Sequence, residues 1–295
     1  VNRLAEKMTV IGAWVCGLAL LGAVAVLLGY LVMKGAGSLD SALLFGDVRP
    51  ADALLLRRQV FDGIFPAVAG TLVLVLISVS LAVPAGIAAG IYLAEYCPAR
   101  TRRIFGHFYD ILAATPSIVI GFFGFSVTIF LHRTLAPRLY PCLMVSALSL
   151  AFLVLPYLIR TTQMALEGIP AGLRRTAPAL GATRWQNVSR VLLPRALTGI
   201  VSGTILAIGR CAEDTAVIML TGVVASAGLP RSLWAGYEAL PFYIYTVSSQ
   251  YADARELANG YGAAIIVLIL CTVLFSLSFL IRSRLARRAA GRALP

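Results

Sequence analysis

The chain has 295 residues, of which 59% are hydrophobic and only 13% charged, and its mean hydropathy is +0.87. One soluble core of this size cannot shelter so much apolar surface, so the composition excludes a water-soluble globular domain and points to helices dissolved in lipid. The net charge of +12 does not point to nucleic acid, because no basic stripe interleaves with aromatic residues on a soluble module.

In chain order, the apolar runs predict spans at 9–33, 66–94, 108–131, 142–159, 198–222 and 258–282. The first follows Arg3 and Lys7, is too long for a signal-peptide core and lacks a small-x-small cleavage pattern, which predicts an uncleaved anchor. Residues 35–65 carry turn formers and mixed charge and read as an external loop with a short amphipathic piece. The second span holds Gly86 and Gly90, and the fifth holds Gly199 and Gly203. Small residues four apart let helix backbones approach closely in lipid. Pro84, which has no N–H to give, predicts a kink in the second span.

The inner loop 95–107 is short and basic, and Glu95 is expected to pair with Arg100 or Arg102. The segment 223–257 has two prolines and no sustained helical period. It reads as an external excursion that dips back toward the membrane. With the amino terminus inside, sixteen of the 25 Lys and Arg residues fall in inner segments. They are Arg3 and Lys7, then Arg100, Arg102 and Arg103, then Arg160, Arg174, Arg175, Arg184, Arg190 and Arg195, then Arg282, Arg284, Arg287, Arg288 and Arg292. That positive-inside bias predicts both termini in the cytoplasm.

Cys16, Cys97, Cys142, Cys211 and Cys271 have neither CxxC nor metal-ligand spacing and read as reduced packing residues. His107 and His132 stand at span ends and read as interfacial. There is no GxxxxGK[ST] to cradle ATP phosphates, no nucleophile elbow and no metal motif, so no catalytic residue, metal or bound cofactor is expected on this chain.

The loop 160–197 is the least expected stretch of a membrane chain: it carries six arginines and three prolines between two spans. A helix can run to Glu167, where Gly-Ile-Pro ends it, and a second can start after Pro170. Gly181 interrupts that helix, and a third runs from Ala182 to Pro194. In it Trp185, Val188, Val191 and Leu192 make one apolar stripe at helical spacing, with Arg184 and Arg190 on other faces. Two short helices meeting at a glycine elbow form a rigid knob suited to a groove on a soluble partner. Pro178 inside the first of them costs up to about 3 kcal/mol unless the helix bends there.

Arg210 falls at the middle of the fifth span, where a lipid-facing arginine would cost at least ~2.5–3.5 kcal/mol. It should therefore face the bundle or a cavity, with Glu213 at i+3 and Asp214 at i+4 beside it. A guanidinium fork suits an oxyanion, because it offers paired donors. The competing reading is an ion pair that only locks helices together.

The inner loop resembles the EAA loop of ABC-transporter permeases, E-A-A-x3-G-x9-I-x-L-P, with Gly181, Val191, Leu193 and Pro194 on its glycine, apolar and Leu-Pro positions. The segments "GTLVLVLISVSLAVPAGIAAGIYLAEY" (70–96), "TPSIVIGFFG" (115–124), "LPYLIRTT" (155–162) and "LPFYIYTVSSQ" (240–250) are similar to PstA-type phosphate permeases in particular. The resemblance implies an all-α, polytopic ABC type I importer permease fold with six transmembrane helices in the bacterial cytoplasmic (inner) membrane. It lays the chain out as a cytoplasmic stub and first helix (1–34), an external loop (35–65), a permease core (66–282) and a basic tail (283–295).

The same resemblance makes 160–197 the element that couples to an ATPase, through Arg174, Arg175, Ala179, Leu180, Gly181, Ala182, Trp185, Val191, Leu193 and Pro194. It implies a homologous permease of the PstC type, an ABC ATPase dimer of the PstB type that carries the ATP and Mg, and a phosphate-binding protein of the PstS type. Arg210, Glu213, Asp214 and Thr215 fall on the family's R-A-x-G-E-T, which places them in the substrate pathway. Two departures stand out. Arg175 occupies the glutamate position of the EAA pattern, so either the partner ATPase compensates or coupling is weakened. Glu213 replaces the glycine and Asp214 the glutamate, so Glu213 is either protonated or paired with a cation of the partner permease. One arginine does not distinguish phosphate from molybdate, tungstate or sulfate, and the departures leave a transport-inactive scaffold or signalling component as the rival class.

Overall fold

A computed structural model describes residues 3–46, 48–50, 52 and 63–291. Part of the external loop and Arg292 of the basic tail lie outside the described residues. The elements are α1 (Arg3–Gly35), α2 (Ser41–Phe45), α3 (Phe65–Ile91), α4 (Ala99–Ala114), α5 (Ser117–Thr134), α6 (Leu143–Glu167), α7 (Ala171–Ala179), α8 (Arg184–Asn187), α9 (Leu193–Glu213), α10 (Thr215–Thr221), α11 (Leu240–Gln250) and α12 (Ala254–Gly291). One π-helical turn, Tyr92–Tyr96, prolongs α3, and another, Val188–Leu192, joins α8 to α9. Six described helical stretches are long and apolar enough to cross a membrane: Ala5–Ser38, Phe65–Tyr96, Ser117–Thr134, Leu143–Glu167, Arg184–Glu213 and Ala254–Ile281.

α6 is the axis of the bundle. In its most apolar stretch 61% of residues are buried within the chain, against none for α1, so the fold is organised around α6 while α1 lies at the edge. Leu143, Leu150, Val154 and Leu158 are fully enclosed. Both glycine pairs pack on this helix. A Cβ on Gly86 would stand 2.5 Å from Leu158 Cβ, and one on Gly90 would stand 2.6 Å from Thr162 Cβ. Gly199 meets Ala165 at 2.6 Å, and Gly203 meets Thr161. α3 and α9 thus lie backbone-close on two sides of α6, as small residues allow in lipid. α1 touches the bundle through α12, where Tyr30 and Tyr261 meet edge to face with centroids 6.0 Å apart.

The predicted third span, 108–131, is broken. Pro116 pushes Thr115 into extended backbone (φ −67°, ψ 130°), so α4 ends at Ala114 and the membrane-length helix is α5. α4 is amphipathic. Arg160 of α6 grips it with bonds to Asp110 (2.6 Å) and the Gly106 carbonyl (3.0 Å), while Ile104, Phe108 and Ile111 face outward. The predicted fifth span, 198–222, is broken too, at Asp214, between α9 and α10. The fourth runs past its expected end at 159, through Pro156, to Glu167. α3 likewise continues through Pro84 as one helix.

The excursion 223–257 is more ordered than its composition suggests. The carbonyls of Thr221, Ala235 and Leu233 accept from the N–H groups of Cys142, Leu143 and Met144, filling the orphan donors at the start of α6. The Glu238 carboxylate accepts from the N–H groups of Ala227 (2.9 Å) and Gly228 (2.7 Å), and Tyr237 beside it is fully buried. α11 follows, with Leu240 N–H donating to Thr71 Oγ1 of α3 at 2.9 Å. The missing helical period reflects a helix of only 11 residues, shorter than a periodicity window.

Candidate functional site

Two constellations carry the polar chemistry: the hairpin α7–α8 and the break between α9 and α10.

The hairpin is built by local rules. Pro170 stands at the N-cap of α7. Gly181 follows with φ +85°, a left-handed conformation that glycine accepts without Cβ strain. Thr183 then caps α8 reciprocally. Its Oγ1 accepts from Gln186 N–H (3.3 Å), and Gln186 Oε1 accepts from Thr183 N–H (2.9 Å). The Thr-x-x-Gln spacing is the local sequence signal for this capping box, and it was not among the features that marked the loop from sequence.

Pro178 sits in the last turn of α7 and does not break it. Its missing N–H is the one that would have bonded the Arg174 carbonyl, and the side chain of Asn187 donates there instead, at 3.0 Å. Asn187 is buried and had no counterpart in the sequence reading.

The expected apolar stripe divides. Val188 and Leu192 are buried with Leu166, Ile169, Ala196 and Ile200, and Val191 packs against that cluster. Trp185 is 64% exposed. The π-helical turn at 188–192 shifts the side-chain register, so one stripe becomes a buried inner edge and a projecting Trp185. Leu180 projects further, at 85% exposed, and Arg175, Ala179, Gly181 and Arg184 are exposed around it, with Ala182 half-buried. Leu193 and Pro194 are half-buried where α9 begins.

Glu95 pairs with neither Arg100 nor Arg102. It pairs with Arg174 of α7, and Arg102 pairs with Glu167 at 3.1 Å. The end of α3 turns Glu95 toward the hairpin, a contact across 79 residues that no local spacing reveals.

At the second constellation α9 ends at Glu213. Asp214 leaves the helix (φ −75°, ψ 110°) because its side chain caps α10, accepting from Val217 N–H at 2.9 Å. Its other oxygen faces Arg210 Nη2 at 3.5 Å. The helix ends favour this arrangement, with a cation in the last turn of α9 and an anion at the first of α10. The Asp214 side chain is 3% exposed and that of Arg210 is 42% exposed, so the carboxylate is enclosed while the guanidinium opens outward. Arg210 Nε is buried without a partner. Thr215, the first residue of α10, is half-buried.

Glu213 does not join the pair. It is exposed, and only Asp214 lies within ion-pair distance of Arg210 among the described residues. The expected i+3 contact does not form, and the Glu213 carboxylate lies beside Gly209 instead. The local sum at Arg210–Asp214 is therefore zero.

With this geometry in place, the chain can be compared with known proteins. A family model described as "Binding-protein-dependent transport system inner membrane component" matches residues 86–290. The chain is 34% identical over 235 residues to the phosphate transport system permease protein PstA 1 of Mycobacterium tuberculosis (strain CDC 1551 / Oshkosh), covering 79% of this chain and 75% of that one. It is 32% identical over 251 residues to PstA of Yersinia pestis, covering 83% and 79%. Against the permease protein PstC of Mesorhizobium japonicum the identity is 29% over 240 residues, covering 74% and 71%. Among solved structures, a bacterial ABC transporter involved in the import of the acidic polysaccharide alginate is similar with a TM-score of 0.63 at 16% identity, covering 96% and 99%. The inward-facing MetNI methionine ABC transporter is similar with a TM-score of 0.57 at 20% identity, covering 82% and 99%. At these identities the structures establish the fold alone.

Proposed function

Because this chain belongs to the binding-protein-dependent inner-membrane components, and among them to the PstA-type permeases, we propose that it is the permease subunit of an ATP-driven importer of inorganic phosphate. The observation that carries the reading is the 34% identity to a PstA permease across 79% of the chain. Hydrolysis takes place elsewhere: ATP and Mg are held by a separate dimer of PstB-type ATPases, and this chain binds no cofactor. A PstC-type permease completes the membrane unit, and a PstS-type binding protein delivers phosphate from outside. The chain lies in the bacterial inner membrane with both termini in the cytoplasm. Its layout is a first helix within 1–34, an external loop 35–65, a permease core 66–282 and a basic tail 283–295.

Movement starts at the hairpin. Leu180, Trp185 and the exposed arginines present apolar and cationic surface to the ATPase, and closure of the ATPase pair displaces them. α6 and α9 leave the hairpin as direct continuations of the chain, so they move with it. Arg210 meets the anion on the exposed side of α9. Asp214 neutralises it when the site is empty and fixes the break that aims it. Charge-assisted contacts of this kind contribute about 1.5–3 kcal/mol each.

The test is uptake of radiolabelled phosphate into proteoliposomes holding the four-component transporter, with molybdate, tungstate and sulfate as competitors. Uptake that needs ATP and yields only to unlabelled phosphate is expected. Equal competition by sulfate or molybdate would move the substrate to another oxyanion, and ATPase binding without uptake would make the chain a scaffold.

A further inference from the structure

The hairpin is continuous with two membrane helices, α6 through residues 168–170 and α9 through the π-helical turn. It has no chain connection to α3. Among the described residues, the polar link between the hairpin and α3 is the ion pair of Arg174 with Glu95. Both side chains are sheltered, Arg174 24% and Glu95 15% exposed, so this pair is less hydrated and less screened than an ordinary surface pair.

Three features hold Arg174 where it is. Its carbonyl is bonded by Asn187 of α8, in place of the donor that Pro178 lacks. Its side chain reaches the π-helical end of α3. Beneath the pair, Ala94 of that same end is buried with Leu166, Ile169, Val188 and Leu192, which belong to α6, its exit and the hairpin's return. A displacement of the hairpin relative to α3 would have to separate the ion pair and slide this apolar cluster together.

We propose that the Arg174–Glu95 pair is the tie that passes hairpin motion to α3, making Arg174 and Glu95 positioning residues for coupling rather than contacts of the ATPase. The sequence context fits: Arg175, which occupies the family's glutamate position, points into solvent, while its neighbour Arg174 turns inward. The proposal rests on the reading that a separate ATPase drives the hairpin. What it adds is that α3, a helix with no chain link to the hairpin, moves as one body with it.

The test uses the complete transporter in proteoliposomes. Arg174→Ala and Glu95→Gln are each expected to lower the phosphate imported per ATP hydrolysed by about tenfold, within the usual range of coupling free energies. ATPase co-purification and ATP hydrolysis should stay at wild-type levels. The exchanged pair Glu95→Arg with Arg174→Glu is expected to recover most of the ratio. Wild-type coupling in both single variants, or no recovery in the exchanged pair, would overturn the tie. So would loss of ATPase co-purification in Arg174→Ala alone, because that would place Arg174 at the motor. A second measurement does not depend on the substrate: spin labels at Tyr96→Cys and Thr176→Cys, with the ATPase nucleotide-free and then trapped closed. An unchanged distance in the otherwise wild-type chain, widened by Arg174→Ala, supports the tie, and a changed distance in the wild-type background contradicts it. Wild-type vesicles that import no phosphate would sink the substrate reading and leave this distance result to decide the tie.

Discussion

The hairpin and the α9–α10 break both depend on arginine, but they place it in different surroundings. At the hairpin Arg175 and Arg184 are exposed and Arg174 is turned inward by a carboxylate from another helix. At the break Arg210 sits in the last turn of α9 beside the enclosed Asp214. Water screens Arg175 and Arg184, so their charges act only at short range and cost little to keep. At the break the carboxylate of Asp214 is enclosed, so removing Arg210 leaves a buried charge stranded. The same residue type can therefore be exchanged more freely at the hairpin rim than at the break.

Substitutions can sharpen that contrast, and Arg210→Ala should have the largest effect. It removes the guanidinium fork and strands Asp214, and ATP-driven phosphate uptake is expected to fall about 10- to 100-fold, the equivalent of losing one or more charge-assisted bonds. Wild-type uptake would remove Arg210 from the pathway. Next comes Trp185→Ala. Trp185 is a projecting aromatic on the proposed ATPase-facing surface, and its loss is expected to weaken ATPase binding by about 2 kcal/mol, or roughly 30-fold in Kd, read by titrating ATPase onto permease in nanodiscs.

Asn187→Ala leaves the Arg174 carbonyl without a donor, a loss of about 1–3 kcal/mol in thermal stability. Adding Pro178→Ala restores a backbone N–H, so the double variant is expected to recover much of that loss. No recovery would mean that Asn187 acts through something other than this bond. Glu213→Gln should change uptake by less than about twofold, because an exposed acid outside the ion pair carries little of the local balance.

The smallest effect concerns pH. Burial holds the Glu238 carboxyl above the ordinary range, although bonds from the Gly228 and Ala227 N–H groups draw it back. The folded chain thus binds this proton more tightly than the unfolded chain does. The associated stability is full below the unfolded value of about 4.3 and is lost as pH rises through the raised one. Glu238→Gln keeps an acceptor for both N–H groups and is expected to flatten that decline in melting temperature. An identical slope would show that Glu238 does not titrate in this range.

Much of this was legible beforehand, for identifiable reasons. Apolar run length located six membrane helices, and glycines four apart marked both faces that close on α6, because lipid imposes those patterns locally. The hairpin was legible at Pro170, Gly181 and Pro194, where backbone geometry restricts residue choice. What escaped were long-range or register effects. Thr115 and Asp214 end helices inside apolar runs, and hydropathy does not register a backbone break. The π-helical turn at 188–192 moved Trp185 off its expected stripe. Glu95 found Arg174 because α3 ends beside the hairpin, whereas sequence proximity suggested Arg100 or Arg102.

The most direct measurement is site-specific crosslinking from Trp185→Cys in membranes holding the whole transporter. The expected result is a bond to the ATP-binding subunit whose yield changes when that subunit is trapped closed. Membranes in which both proteins are present and intact, yet no such bond forms from position 185 or from Leu180→Cys, would contradict the assignment of the hairpin as the joint to the motor.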